Sequence, residues 1–210
     1  QTSELSEFAG LAPFLSSKTL DHLVLSRNPK ADLPGLSALA PFLSAPTLEQ
    51  LAIQLTKDYS IAGVTCLAPF LSKEALDKLV AQIDCSDNIT LIVALAPFLS
   101  KDTLNQVVQK LLAADRLIAV SGLAPFLSSE TLDKTVMNAD PETDMPGVTA
   151  LAPFLSKATL NNFMEKALES GHVRLSGLYP FLSGSSLKKL AEHLMTAENL
   201  TELQSIKPFL

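Results

Sequence analysis

The string Pro-Phe-Leu recurs at Pro13, Pro41, Pro69, Pro97, Pro125, Pro153, Pro180 and Pro208, with a spacing of 28 residues at every step but one, which is 27. A fixed internal period means that one supersecondary unit has been copied in tandem, and a unit this short buries its apolar face only against its neighbours. Eight of the ten phenylalanines lie in the motif, which extends to Leu-Ala-Pro-Phe-Leu-Ser, two variable residues, usually Thr, and then Leu. The reading is a single helical-repeat array over residues 1–210: a half repeat 1–10, repeats starting at 11, 39, 67, 95, 123, 151 and 178, and a partial repeat 206–210.

Local signals divide each unit into two helices. Ser16, Ser44, Ser72, Ser100, Ser128, Ser156 and Ser183 each precede a stretch with apolar residues at helical spacing, so each is placed to cap a free amide of the first turn. Glu74, Asp102 and Glu130 then suit the positive helix end. Leu20, Leu23, Val24 and Arg27, and after them Leu48, Leu51, Ala52 and Leu55, follow an i, i+3, i+4, i+7 pattern. This is helix A, with an expected length of about eleven residues.

A polar loop follows, as in Asn28-Pro29-Lys30 and Asp140-Pro141-Glu142, and ends near Asp32, Asn88, Asp144 or Asn199, which can cap helix B. Pro34 and Pro146 fit its first turn. Leu33, Leu36, Leu39 and Phe42 are expected on its buried side, as are Ile61, Val64, Leu67 and Phe70, so that each hairpin buries Phe and Leu against the next. Small residues such as Ala12, Ala38, Ala40, Gly122, Ala124 and Gly177 would let backbones approach. The recurrent proline falls about nine residues into helix B. Either it bends the last turn, or helix B stops before Ala-Pro and Pro-Phe-Leu forms a separate short turn.

The two-helix, proline-punctuated unit resembles the α-solenoid repeats of the HEAT, armadillo and tetratricopeptide classes, and its Leu-Ala-Pro-Phe-Leu-Ser signature is similar to short tandem repeats of bacterial proteins. The period is shorter than the ~34 to ~47 residues of the named classes, and their own signatures are missing. The resemblance therefore implies an all-α solenoid with a curved, ligand-binding surface, and carries over no functional residue.

An apolar fraction of 47% excludes a disordered tail. The longest uninterrupted apolar run, Leu91 to Leu99, contains Pro97 and is far too short to span a bilayer, so no membrane segment is expected. A net charge of −6 disfavours tight, nonspecific attraction to phosphate backbones. Cys66 and Cys85 occupy different repeat positions, which implies neither a disulfide framework nor a zinc knuckle. The chain opens at Gln1 without a charged-then-apolar leader and reads as processed or as a fragment; a reducing, cytoplasmic setting is the expectation.

Seven serines at helix starts read as caps rather than nucleophiles, and His22, His172 and His193 stand at three different repeat positions, so no catalytic residue, metal or cofactor is expected. The informative variation lies on helix A, two and six residues after its recurrent leucine. Those positions hold His22, Gln50, Gln54, Lys78, Gln82, Gln106, Lys110, Lys134, Asn138, Asn162, Lys166, Lys189 and His193, and the i, i+4 spacing puts each pair on one face. A protein or peptide is the expected partner of that face. A single-stranded RNA array would show a similar row of amides and cations, but Asp21, Glu49, Asp77 and Asp133 lie beside it and no aromatic residue is there to stack on a base. The apolar terminal half repeats make end-to-end self-assembly the alternative role, and Tyr179 and Lys207, in place of the motif alanine, point to an adapted last repeat.

Overall fold

The computed structural model describes residues 5–58 and 61–210. The first four residues of the terminal half repeat, and Tyr59 and Ser60, lie outside the described residues. The described chain is all-helical. It forms two compact units, Gln1–Thr103 and Leu104–Leu210.

In the first unit, a 3-10 segment Leu5–Phe14 leads into α1 (Ser17–Leu25), α2 (Leu33–Leu39), α3 (Ala45–Lys57), α4 (Ile61–Leu67), α5 (Lys73–Ala81) and α6 (Ile89–Leu95). Helix A packs on the next helix A, α1 on α3 and α3 on α5, while helix B packs on helix B, α2 on α4 and α4 on α6. The boundary falls in the first turn of α7 (Lys101–Ala113). The second unit continues with α8 (Leu117–Val120), α9 (Ser129–Met137), α10 (Met145–Leu151), α11 (Lys157–Glu169), α12 (Gly184–Thr196) and α13 (Leu200–Ile206). There α8 packs on α10, α9 on α11, and α11 on α12.

The helix starts follow the sequence closely. Ser16, Ser72, Ser100, Ser128, Ser156 and Ser183 accept the amide three residues on, at 3.1–3.2 Å. Ser44 makes no such bond, and its hydroxyl donates to Thr47 instead. Of the helix B caps, Asp32 accepts the Gly35 amide at 2.8 Å and Asn199 that of Glu202 at 3.2 Å; Asn88 and Asp144 form no side-chain cap. Asp32 also accepts the Ser6 amide at 2.7 Å, and these two bonds, Ser6 first, hold its carboxyl below the usual carboxylate range. A lowered pKa stabilises the fold above the unfolded value, and that contribution fades as the pH falls through the lowered one.

The proline question resolves as a change of helix type. The α-helix ends at Leu39, Leu67, Leu95 and Leu151, and Ala-Pro-Phe continues as one 3-10 turn in each case. An i→i+3 bond then closes the turn, as from the Leu43 amide to the Ala40 carbonyl at 3.2 Å. Proline cannot donate to the carbonyl four residues back, and its fixed φ suits the tighter turn. Leu43 and Ser44 are extended, at ψ 153° and 150°, and form the corner into the next helix A.

The expected core register of helix B needs correcting. Leu36, Leu39, Ala40 and Leu43 are the buried stripe, whereas Leu33 is half-buried and Phe42 is 36% exposed. Phe70, Phe126 and Phe154 are similarly exposed. The small alanine side chain fits where two backbones close on each other, and the bulky ring is turned to the edge. Each fully buried leucine is worth about 1.5–3 kcal/mol, which is what makes helices this short stable when packed on their neighbours and not alone.

Helix A comes in two lengths in place of the expected eleven residues. α1, α5 and α9 have nine residues, and α3, α7, α11 and α12 have thirteen. The two alternate until α12, where two long helices follow one another across the single 27-residue step. There helix B is reduced to the 3-10 segment Ser176–Phe181.

Candidate binding grooves on the helix A face

All thirteen sequence-selected residues are exposed. Eight of them line grooves between neighbouring elements. Between α3 and α5 a groove of about 90 Å³ is walled by Glu49, Ala52 and Ile53 on one side and by Ala75, Lys78, Leu79 and Gln82 on the other. Three repeats further on, a groove of about 70 Å³ between α9 and α11 uses the same positions: Asp133, Val136 and Met137 face Thr159, Asn162, Phe163 and Lys166. The i+2 and i+6 residues of one helix A thus meet the i+1 and i+5 residues of the preceding one. Lys189 and His193 open a larger groove of about 430 Å³ between α11 and α12, opposite Glu165 and Glu169. Lys134 and Asn138 line a polar groove of about 320 Å³ with Gln109, Asp115 and Asp144. His22, Gln50, Gln54, Gln106 and Lys110 lie on the exposed helix surface and are not brought into these grooves.

Several of the cations are already engaged. Lys134 pairs with Glu130 at 2.7 Å, and that ammonium holds the Glu130 carboxyl below its usual range. Lys189 bridges to Glu165 at 2.6 Å, and Lys166 donates to the Ala139 carbonyl at 2.6 Å, at the end of α9. Lys78 faces Glu49 across its groove with no ion pair between them.

The acidic margin beside the row has a structural task that the sequence reading did not assign to it. Asp21, Asp77 and Asp133 are half-buried and accept the backbone amides of Ser44, Ser100 and Ser156 at 3.0, 3.1 and 3.0 Å, 23 residues along in each case. Each carboxylate therefore staples a nine-residue helix A to the start of the next helix A and satisfies the amide at the extended corner. Glu49 makes no such bond and remains on the groove wall. The sequence reading also passed over Ile53, 39% exposed, and Met137, 70% exposed, which put apolar surface on the groove lips. Their signal was present: one helical turn beyond Glu49 and Asp133, they share the face that the following helix meets.

Elsewhere, Tyr179 is buried, donates its hydroxyl to Glu202 at 2.5 Å and meets Phe209 edge-on at 5.8 Å. Burial, and secondarily Glu202, push its phenol well up. Lys207, the other substituted motif position, is exposed. Cys66 donates to the Gly63 carbonyl, and burial raises its thiol pKa. Among the described residues, no three His, Cys, Asp or Glu side chains group so as to hold a metal ion, and no helix is long and apolar enough to cross a membrane. No protein-family model, curated protein or solved structure matches the chain.

Proposed function

We propose that the chain is a non-catalytic binding scaffold, an α-solenoid of stacked two-helix repeats that offers the helix A face and its grooves to a protein or peptide. The observation that carries this reading is the recurrence of one groove architecture with changed chemistry. The α3/α5 and α9/α11 grooves use identical repeat positions, yet one presents Glu49, Ile53, Lys78 and Gln82 and the other Asp133, Met137, Asn162 and Lys166. A constant frame with varied amides, charges and apolar lips suits an extended polypeptide, whose backbone needs both donors and acceptors and whose side chains alternate along it.

Screening a displayed peptide library on the chain, and then on the triple variant Lys78→Glu, Lys110→Glu, Lys134→Glu, tests the reading. Selected peptides should lose at least about tenfold in affinity, about 1.4 kcal/mol, while helicity and melting stay unchanged. Undiminished binding by the triple variant would remove the helix A face from consideration.

A further inference from the structure

Of the two grooves built on the same repeat positions, one has its rim charges engaged and the other has them free. At the α9/α11 groove, Asp133 accepts the Ser156 amide at 3.0 Å and Lys166 donates to the Ala139 carbonyl at 2.6 Å, so both charges serve the fold. At the α3/α5 groove the corresponding positions hold Glu49 and Gln82, and Lys78 stands in place of Asn162. Among the described residues, the exposed side chains of Glu49 and Lys78 form no hydrogen bond or ion pair. They face each other from opposite walls, with Ile53 and Gln82 one helical turn further along. Between the walls Ala52 and Leu79 are buried and Leu71 and Ala75 half-buried, so the floor is apolar. In the other groove Val136 and Phe163 replace Ala52 and Leu79, and the volume is about 70 Å³ against about 90 Å³.

Two opposite charges held apart over an apolar floor are complementary to a ligand with an apolar centre and opposite charges to either side of it. We infer that the α3/α5 groove takes an extended peptide segment whose aliphatic side chain enters between a cationic and an anionic residue, the cation on Glu49 and the anion on Lys78. Alternate residues of an extended chain point to the same side and lie about 6.6 Å apart. Neighbouring helix axes stand about 8–10 Å apart, so the residues two before and two after the aliphatic one come down on the two walls. A groove of about 90 Å³ is smaller than the roughly 150 Å³ that admits a benzene ring, which favours leucine or valine over phenylalanine. The inference rests on the reading of the helix A face as a peptide-binding surface and names the segment that this groove selects. The α9/α11 groove, whose two lining charges are both engaged, has no such preference for flanking charges.

Titration of the isotope-labelled 210-residue chain with capped peptides, followed by NMR, tests it. The peptides carry a central leucine flanked, two residues to either side, by Lys and Glu, by Lys and Lys, or by Glu and Glu. The mixed peptide should shift the amide signals of Ile53, Leu79 and Gln82. It should bind at least about fivefold tighter than the other two, the effect of exchanging an exposed ion pair for a like-charge contact. Lys78→Glu should make the Lys/Lys peptide the tightest, and Glu49→Lys the Glu/Glu peptide; both alter exposed positions, so both should keep native helicity. Phenylalanine in place of the central leucine should weaken binding. Equal affinity for the three peptides at this groove, or a preference that neither variant alters, would overturn the inference while leaving peptide binding by the helix A face intact. Shifts confined to other grooves would do the same. If neither these peptides nor library-selected ones shift any helix A residue, the reading beneath the inference falls with it. Shifts at Ile53 and Leu79 on dilution of the chain alone would place a second copy in the groove and overturn the peptide assignment.

Discussion

A nine-residue helix such as α5 and a thirteen-residue helix such as α7 fill the same 28-residue period, and the difference lies in how each one stops. Three of the four long helices end in a left-handed residue, Asp115 at φ 53°, Gly171 at 77° and Glu198 at 52° after α7, α11 and α12, while the corresponding residue after α3 lies outside the described residues. The amide of the next residue reaches back to the carbonyl five residues earlier, at 2.9, 2.8 and 3.0 Å, as in a Schellman ending. The short helices end in right-handed conformation and pass into an Asx turn. Asn28, Asp84 and Asp140 accept the amides of Lys30, Ser86 and Glu142 at 3.1, 2.7 and 2.9 Å. The same short helices carry the Asp21, Asp77 and Asp133 staples. Two kinds of helix A thus recur, one followed by an Asx loop and carrying a carboxylate staple, the other longer, although on the long α11 Asn161 accepts the Ser183 amide at 3.5 Å.

The largest effect is expected where α10, which follows the short α9, meets α8. A Cβ on Gly147 would stand 2.8 Å from Leu117 Cγ and 3.0 Å from the Ile118 nitrogen. The equivalent position after the long α7 is Ala119, half-buried. Gly147→Ala should therefore destabilise by about 1–3 kcal/mol through overpacking, although alanine is the better helix former. Ala119→Gly should cost about 1 kcal/mol through propensity alone. Equal costs in urea denaturation would mean that α10 does not approach α8 as closely as the Gly147 contacts require.

Next comes the staple. Asp77→Ala leaves the Ser100 amide at a half-buried corner without its acceptor and should cost about 1–2 kcal/mol, whereas Glu49→Ala, at the same place on a long helix, should stay within about 0.5 kcal/mol. The double variant Asp77→Ala/Glu49→Ala should show simple additivity. A cost for Glu49→Ala as large as for Asp77→Ala would erase the distinction between the two hairpins.

The caps give a smaller contrast. Ser72 accepts the Ala75 amide at 3.1 Å, so Ser72→Ala should lose about 1 kcal/mol. Ser44 heads the long α3 without a cap bond, and Ser44→Ala should lose only the hydroxyl contact with Thr47 at 3.1 Å, a few tenths of a kcal/mol. Thermal melts of the two variants compare them directly.

Where the sequence was legible, the controlling interaction was local. A serine cap acts over three residues and an acidic first turn acts on its own helix, so motif spacing carried both, while for the proline it left open a bend or a separate short turn. The Phe42 ring reads as core by helical spacing but lies at the edge, because the tertiary approach of two B helices admits Ala40 and Leu43 there. The staples required a partner 23 residues away, and no local rule distinguishes Asp77 as a hydrogen-bond acceptor from Glu49 as a groove wall. For the groove residues, the i, i+4 face was legible, but the opposite wall, with Ile53 and Met137, depends on which helix stands next to which.

The smallest expected effect is a gain, and it probes the long helices alone. Asp115 and Glu198 hold the left-handed conformation that glycine adopts freely at Gly171, so each stores backbone strain of about 1 kcal/mol. Asp115→Gly and Glu198→Gly should each stabilise by about 0.5 kcal/mol, since part of the relief is offset by the greater freedom of glycine in the unfolded chain. Gln82→Gly, at the right-handed end of the short α5, has no strain to relieve and should destabilise instead. The opposite signs, read as shifts in denaturation midpoint, follow directly from the two ways of stopping. A gain at Gln82 as large as that at Asp115 would mean that the nine-residue helices reach the same left-handed ending in solution.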